Sequence, residues 1–196
     1  MKVQLSARRL AGVPGTVGGA LRMNAGGAHG AIGESVLWVR GFDRRGRAFR
    51  FSREGCGFRY RGSRLGGLFV TRAALALTQD GSGIRERVDR IFAEKRASQP
   101  LTAATAGCTF KNPGLPGGES AGWLLDRAGV KGLARGGAVY SELHANFIVN
   151  RAAASCADVE DLIREGRRRV FDRFGVDLEL EVEVWKREEE GALLIA

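Results

Sequence analysis

The 196-residue chain lacks the residues that mark several protein classes. It has 3 cysteines, Cys56, Cys108 and Cys156, far apart and without a Cys-x-x-Cys pair, and only 2 histidines, His29 and His144. No zinc site or disulfide framework is expected, no metal is assigned, and a reducing compartment suits the chain. No apolar run approaches a membrane span, and Met1 to Arg9 lack a signal-peptide core, which predicts a cytoplasmic protein with no membrane partner. The 4 prolines are too few for a low-complexity linker. Acidic residues are scarce as well: 22 Asp and Glu against 31 Lys and Arg leave a formal charge of +9. That surplus fits anionic partners, whether nucleic acid, acidic membrane or phosphorylated small molecules. The basic residues are mostly scattered arginines with one dense run, Arg167 to Arg169. No base-stacking pattern of aromatics accompanies that run, so a solvated helix face is expected and no nucleic acid partner.

Hydrophobic residues (44%) and charged residues (27%) give an ordinary globular mix, and 29 glycines leave many positions open to positive φ or close ligand approach. Leu10 to Gly19 reads as a turn-rich segment. Val36–Asp43 and Ala48–Phe51 read as a hairpin about Arg44-Arg45-Gly46, and Leu68–Leu77 as a further strand. Ile84, Val88, Ile91 and Phe92 make a helical stripe that Ser98-Gln99-Pro100 stops, and a domain boundary is placed in the small, polar stretch from there to Gly107. Ser120–Ala128 reads as a short helix closed by Gly129, and Phe147–Val149 as a buried strand. Ser155 and Asp158 form a capping box for a helix with Val159, Leu162, Ile163, Val170, Phe171 and Phe174 inside and Gly175 at its end. Leu178, Leu180, Val182 and Val184 alternate with glutamates as a period-two strand, and Glu188–Glu190 reads as a frayed tail. The class is α+β.

Four stretches could carry chemistry. Gly12 to Gly19 fits neither standard phosphate-binding fingerprint, and it reads either as a turn cluster or as a cradle of free backbone N–H groups, a character that Asn24 to Gly30 extends. Arg61, amid Gly57-Phe58-Arg59-Tyr60-Arg61-Gly62-Ser63, is either a loop arginine on the surface or a guanidinium held for a planar anion. Gly107-Cys108-Thr109-Phe110-Lys111-Asn112-Pro113 gathers a thiol, a hydroxyl, an ammonium and an amide. Cys108 alone would be a plain buried cysteine, a tuned proton donor, or one half of a Cys–His pair with His144 that has no evident third member. Glu181 shares the polar face of the last segment with Glu179 and Glu183, where exposure is expected.

Taken in order, these segments resemble the MurB-type UDP-N-acetylenolpyruvoylglucosamine reductases. The likeness rests on Gly12–Ala20 with Met23-Asn24-Ala25-Gly26, Gly57–Ser63, Ala106–Pro113 with Ser120-Ala121-Gly122, His144–Asn150, and Leu178–Val182. It implies the C-terminal part of a flavin-binding domain of the vanillyl-alcohol-oxidase/PCMH type plus a small α+β substrate-binding lobe. The expected parts are a partial FAD-binding domain over 1–98, the substrate lobe over 99–176, and a strand over 177–196 returning to the flavin domain. FAD and NADPH are the implied cofactors and UDP-N-acetylglucosamine enolpyruvate the substrate. By resemblance Gly12, Pro14, Gly15, Thr16, Val17, Gly18, Gly19, Asn24, Gly26 and Val70 contact the flavin. Tyr60, Lys111, Asn112 and His144 hold the substrate, Arg61 and Glu181 stabilise the enolate-like species, and Cys108 stands where the family keeps its proton donor. The absence of a tyrosine-bearing insertion points to the shorter subtype.

The family's N-terminal flavin lobe, with its glycine-rich pyrophosphate loop, has no counterpart here. The expectation is a truncated or mis-started copy whose exposed interface would cost as much as a domain's whole stability, unless a separate chain supplies the lobe. The alternative is a truncated non-catalytic relative that binds a UDP-sugar or a protein partner.

Overall fold

The computed structural model describes residues 10, 12–13, 15–27, 30–77 and 83–185; Met1–Arg9, Pro14, His29 and the Glu188–Glu190 tail lie outside them. The chain divides into two compact units, Met1–Ala97 and Ser98–Ala196. The class is α+β, as the periodicities predict.

In the first unit the glycine-rich segment holds a helix that the sequence reading missed, α1 (Val17–Arg22). Gly18 and Gly19 are poor helix formers, but the Thr16 hydroxyl caps the Gly19 N–H at 3.1 Å and Leu21 is wholly buried, so cap and packing override propensity. A two-residue hairpin, β1 (Gly26–Gly27) and β2 (Gly30–Ala31), and a 3-10 turn over Ile32–Ser35 lead into β3 (Val36–Phe42). β4 (Ala48–Ser52), β5 (Phe69–Leu75) and α2 (Ile84–Ser98) follow. The sheet runs β4-β3-β5, antiparallel throughout. Gly41 sits at a bulge against β5, where a Cβ would collide with the Phe69 carbonyl, so only glycine fits. One sheet face packs Val39, Phe49, Phe51, Val70 and Ala73 around Leu21, Ile32, Cys56 and Leu65. Of the stripe expected on α2, Ile91 is buried, while Ile84, Val88 and Phe92 are half-covered.

The second unit has a four-stranded antiparallel sheet in the order β6-β9-β8-β7. Its strands are β6 (Thr105–Cys108), β7 (Ala134–Arg135), β8 (Ala138–Tyr140) and β9 (Phe147–Asn150). The helices are α3 (Ala121–Arg127), capped by Ser120, and α4 (Cys156–Phe174). Asp158 and Ser155 cap one another's amides at 2.8 and 3.1 Å, and α4 ends at Gly175 with φ 66°. Leu162, Ile163 and Val170 enter the core with Phe110, Leu124, Leu125, Val130 and Tyr140. Phe171 does not: it is 58% exposed, because the helical turn carries it past the seam that Val170 and Phe174 occupy. The Arg167–Arg169 run is a solvated, ion-paired face as expected, with Arg168 and Arg169 holding the Glu165 carboxyl down to about 2.

The last segment is not the regular strand its alternation predicted. Leu178 is fully buried and Leu180 and Val182 pack on the core, but pairing is limited to one bridge, Leu180 to Phe110. Period-two burial needs only a surface to cover, whereas a ladder needs a partner of matching length, and residues 111–115 form no strand.

Candidate active site

Two sequence motifs of the first unit are tied together by polar bonds. Asn24, itself at φ 46°, donates through Nδ2 to the Arg59 carbonyl (2.9 Å) and accepts through Oδ1 from the Gly33 amide (3.0 Å). The Ser63 hydroxyl donates to the Arg22 carbonyl (2.7 Å), and Arg61 Nη1 donates to the Gly26 carbonyl (2.7 Å). Residues 59–62 close on themselves through the Arg59 and Gly62 amides at 3.0 and 3.2 Å, which holds Arg61 at φ 49°. Arg61 is therefore half-buried and built in, and the surface-arginine reading falls away. Its guanidinium lies 5.3 Å from the ring centre of Tyr60, which is itself 55% exposed. Gly15, Thr16, Val17 and Gly19 are exposed and Gly12 and Gly18 half-covered, with open space around the missing Cβ of Gly15. Val70 points into the core side of the sheet.

In the second unit, Cys108 ends β6 opposite Phe147 and is half-buried. The next residue, Thr109, is buried; its amide donates to the Asn146 carbonyl (2.8 Å) and its carbonyl accepts from the Glu181 amide (2.9 Å). Cys108 and Glu181 thus flank one buried residue, although 73 positions separate them. Glu181 is half-covered, unlike its exposed neighbours Glu179 and Glu183, which corrects the expectation that all three share a solvated face. Lys111 is ion-paired with Glu179, and Asn112 Oδ1 accepts from the Ala121 amide at 3.0 Å, fixing the start of α3.

His144 lies edge-on to Phe147, with ring centres 4.9 Å apart, and packs where a side chain at Gly122 would go. Its Nδ1 accepts from the Asn146 amide (3.2 Å). Burial, with Lys131 nearby, lowers its pKa and keeps the ring neutral at pH 7. A ring nitrogen spent on the backbone weighs against a nucleophile-activating role beside Cys108. Cys56, the fully buried cysteine, has its thiol pKa raised by burial and then by Glu54, and stands in the core of the first unit.

Residues 99–185 match the family model described as UDP-N-acetylenolpyruvoylglucosamine reductase, C-terminal domain. That match makes the second unit similar to this reductase family. The chain is 44% identical over 174 residues to the UDP-N-acetylenolpyruvoylglucosamine reductase of Beijerinckia indica, covering 88% of this chain and 55% of that protein. The corresponding figures for the reductase of Heliobacterium modesticaldum are 46% over 179 residues, 88% and 55%. The chain thus spans about half the length of the curated relatives it matches. The crystal structure of the Thermus caldophilus reductase superposes with a TM-score of 0.79 at 39% identity, covering 93% of this chain and 65% of that one.

Sequence reasoning missed two residues that build the candidate site. Asn146 is buried, and it clamps Phe110 through both amide atoms. Its signal was a lone amide directly before the apolar run Phe147-Ile148-Val149. Gly33, packed against the Phe58 ring and Asn24, carries the loop behind Arg61, and nothing local to it in the sequence marked it.

Proposed function

We propose that the chain forms part of a reductase that converts UDP-N-acetylglucosamine enolpyruvate to UDP-N-acetylmuramate for peptidoglycan precursor synthesis, with FAD and NADPH as cofactors. The observation that supports this reading is the Glu181 amide on the carbonyl of Thr109, the residue next to Cys108, which sets the backbones of these two candidate residues at one junction. In this reading the first unit is part of the flavin-binding domain and the second the substrate lobe. The side-chain-poor stretch at Gly15, Gly18 and Gly19 suits a flat ring or a pyrophosphate, and Asn24 and Gly26 would continue that wall. FAD held against this wall would supply the hydride chemistry, with NADPH as its reductant. The Arg61 guanidinium, pre-set by Gly26, would grip the carboxylate, and Glu181 would orient and stabilise the substrate as charge builds on the neighbouring carbon. The Cys108 thiol would then give its proton to that carbon. Lys111, Asn112, Tyr60 and His144 would line the substrate's path. A lobe supplied by a separate chain would complete the flavin clamp.

Adding FAD to the purified chain should produce a bound flavin spectrum, and Cys108→Ala should spare NADPH oxidation while abolishing the sugar product. A chain that FAD cannot colour argues against catalysis, and equal loss of both half-reactions removes Cys108 from its role. A second reading, a UDP-sugar binder without catalysis, is favoured by a family match confined to the second unit. Calorimetric titration with the UDP-sugar tests it, and absence of heat ends it.

A further inference from the structure

The chain's positive surplus is concentrated, which corrects the reading of it as scattered. Residues 36–77 hold ten arginines against Asp43 and Glu54, a surplus of eight out of the chain's nine. The arginines of α4 are different. Arg164, Arg167 and Arg168 line a shallow groove of about 300 Å³ with Phe171 and Asp177, and each has a carboxylate partner, Asp161, Asp177 and Asp172 respectively.

The sheet register gathers the surplus on one face. Arg40 of β3 lies opposite Arg50 of β4 on one side and Arg72 of β5 on the other, and all three are exposed. At a strand spacing of about 4.8 Å this is a row of three cations within roughly 10 Å. Like charges directly opposite one another disfavour pairing, and among the described residues no carboxylate pairs with any of the three. The Trp38 ring faces two of them, but a row of like charges with no carboxylate to neutralise it points outward, to an anion the protein does not itself supply.

The next row towards the hairpin end is Ala48, Phe42 and Phe69, with Phe42 46% and Phe69 64% exposed. Beyond it the turn presents Arg44 and Arg45, while Arg47 is tied to Asp43 at 2.7 Å. Two bare phenyl rings are therefore bordered on both sides by guanidinium groups. The opposite face of the sheet packs on Leu21 and the core, so this surface is separate from the Asn24–Arg61 cluster.

We propose that this outer sheet face docks on an anionic lipid surface, Phe42 and Phe69 entering the interface and the arginines meeting the lipid phosphates. An apolar centre with a cationic rim matches the layering of a bilayer surface. A single-stranded nucleic acid fits less well. It needs open rings along its path, yet the Trp38 ring is already covered by Arg50 at 4.8 Å and Arg40 at 5.9 Å, and the two free rings lie together beyond the row.

The test is co-sedimentation of the full chain with vesicles of phosphatidylcholine alone and of equal parts phosphatidylcholine and phosphatidylglycerol. Binding to the anionic vesicles only, weakened by salt, is expected. Arg40→Gln with Arg72→Gln should weaken it about 25-fold, at roughly fivefold per cation, and Phe69→Ser should weaken it at every salt concentration. Arg164→Gln with Arg168→Gln, which removes the same charge from α4, should leave it unchanged. An equal loss in the α4 variant, no binding at low salt, or tighter binding to a random-sequence oligonucleotide than to the vesicles would each overturn the proposal. Unaltered far-ultraviolet circular dichroism of all variants separates lost binding from lost fold.

Discussion

Asn146 holds the Phe110 peptide at both ends: its Oδ1 accepts from the Phe110 amide at 2.9 Å and its Nδ2 donates to the Phe110 carbonyl at 2.8 Å. Both atoms of the clamp are buried, so truncation would strand two backbone groups away from water. Asn146→Ala should cost about 2–4 kcal/mol in urea unfolding of the chain. Asn146→Asp keeps one acceptor but sets a buried carboxylate oxygen against the Phe110 carbonyl, and at neutral pH should cost at least as much as the alanine. A cost under about 0.5 kcal/mol for Asn146→Ala would mean water replaces the clamp.

Gly166 stands in the middle of α4 because Tyr140 occupies the space a side chain would need. A Cβ there would collide with the Tyr140 hydroxyl and lie 3.1 Å from its Cζ and 3.3 Å from Leu125 Cδ2. Glycine to alanine in a helix interior ordinarily gains up to about 1 kcal/mol; here Gly166→Ala should destabilise by about 1–3 kcal/mol. Tyr140→Phe removes the hydroxyl that donates to the Leu162 carbonyl at 3.1 Å and should cost about 1 kcal/mol. In that background the Gly166→Ala penalty should shrink, and strict additivity in the double-mutant cycle would show that the hydroxyl is not the obstacle.

His144 gives the chain an acid-side weakness. Its folded-state pKa is depressed, chiefly by burial and then by Lys131, so the unfolded chain binds the proton more readily. Its contribution is complete above the unfolded histidine value of about 6.5 and fades as pH falls below it. Urea midpoints should therefore drop between neutral pH and about pH 5, and His144→Gln should flatten that slope. A wild-type slope surviving intact in His144→Gln would assign the loss to another group.

Asn24 combines a left-handed backbone with two side-chain bonds, and two substitutions separate these roles. Asn24→Gly keeps the φ of 46° free of strain but loses the bonds to Arg59 and Gly33. Asn24→Ala loses the bonds and adds about 1–2 kcal/mol of left-handed strain. The alanine variant should be the less stable by that difference in thermal unfolding; equal midpoints would mean that the loop relaxes away from positive φ.

The sequence carried the elements that local chemistry decides. β3, β4, α3 and α4 were legible from alternation, from the Ser120 and Ser155 caps and from Gly175. What tertiary contact decides was not: α1 exists through the burial of Leu21 despite two glycines, and β6 is the unpromising Thr-Ala-Gly-Cys. The final segment ran the other way, its alternation promising a strand where the fold offers a single bridge. The candidate site was legible as an ordered set of motifs, but their joining was not, since the bond from Arg61 to Gly26 spans 35 residues and Glu181 meets Thr109 across 72. Charge was the most misleading signal. Arg40, Arg50 and Arg72 are scattered in the chain and become neighbours only through strand register.

The bridge between Phe110 and Leu180 also sets an order of events during synthesis. The second unit cannot cover Phe110 or bury Leu178 until nearly all of it has been made, because the covering residues come last. A nascent chain stalled on the ribosome short of residue 178 would carry an open seam beside its thiol, a natural landing place for a chaperone. Closure of this seam is therefore a late event, and the bond from the Glu181 amide to Thr109, beside Cys108, forms only with it.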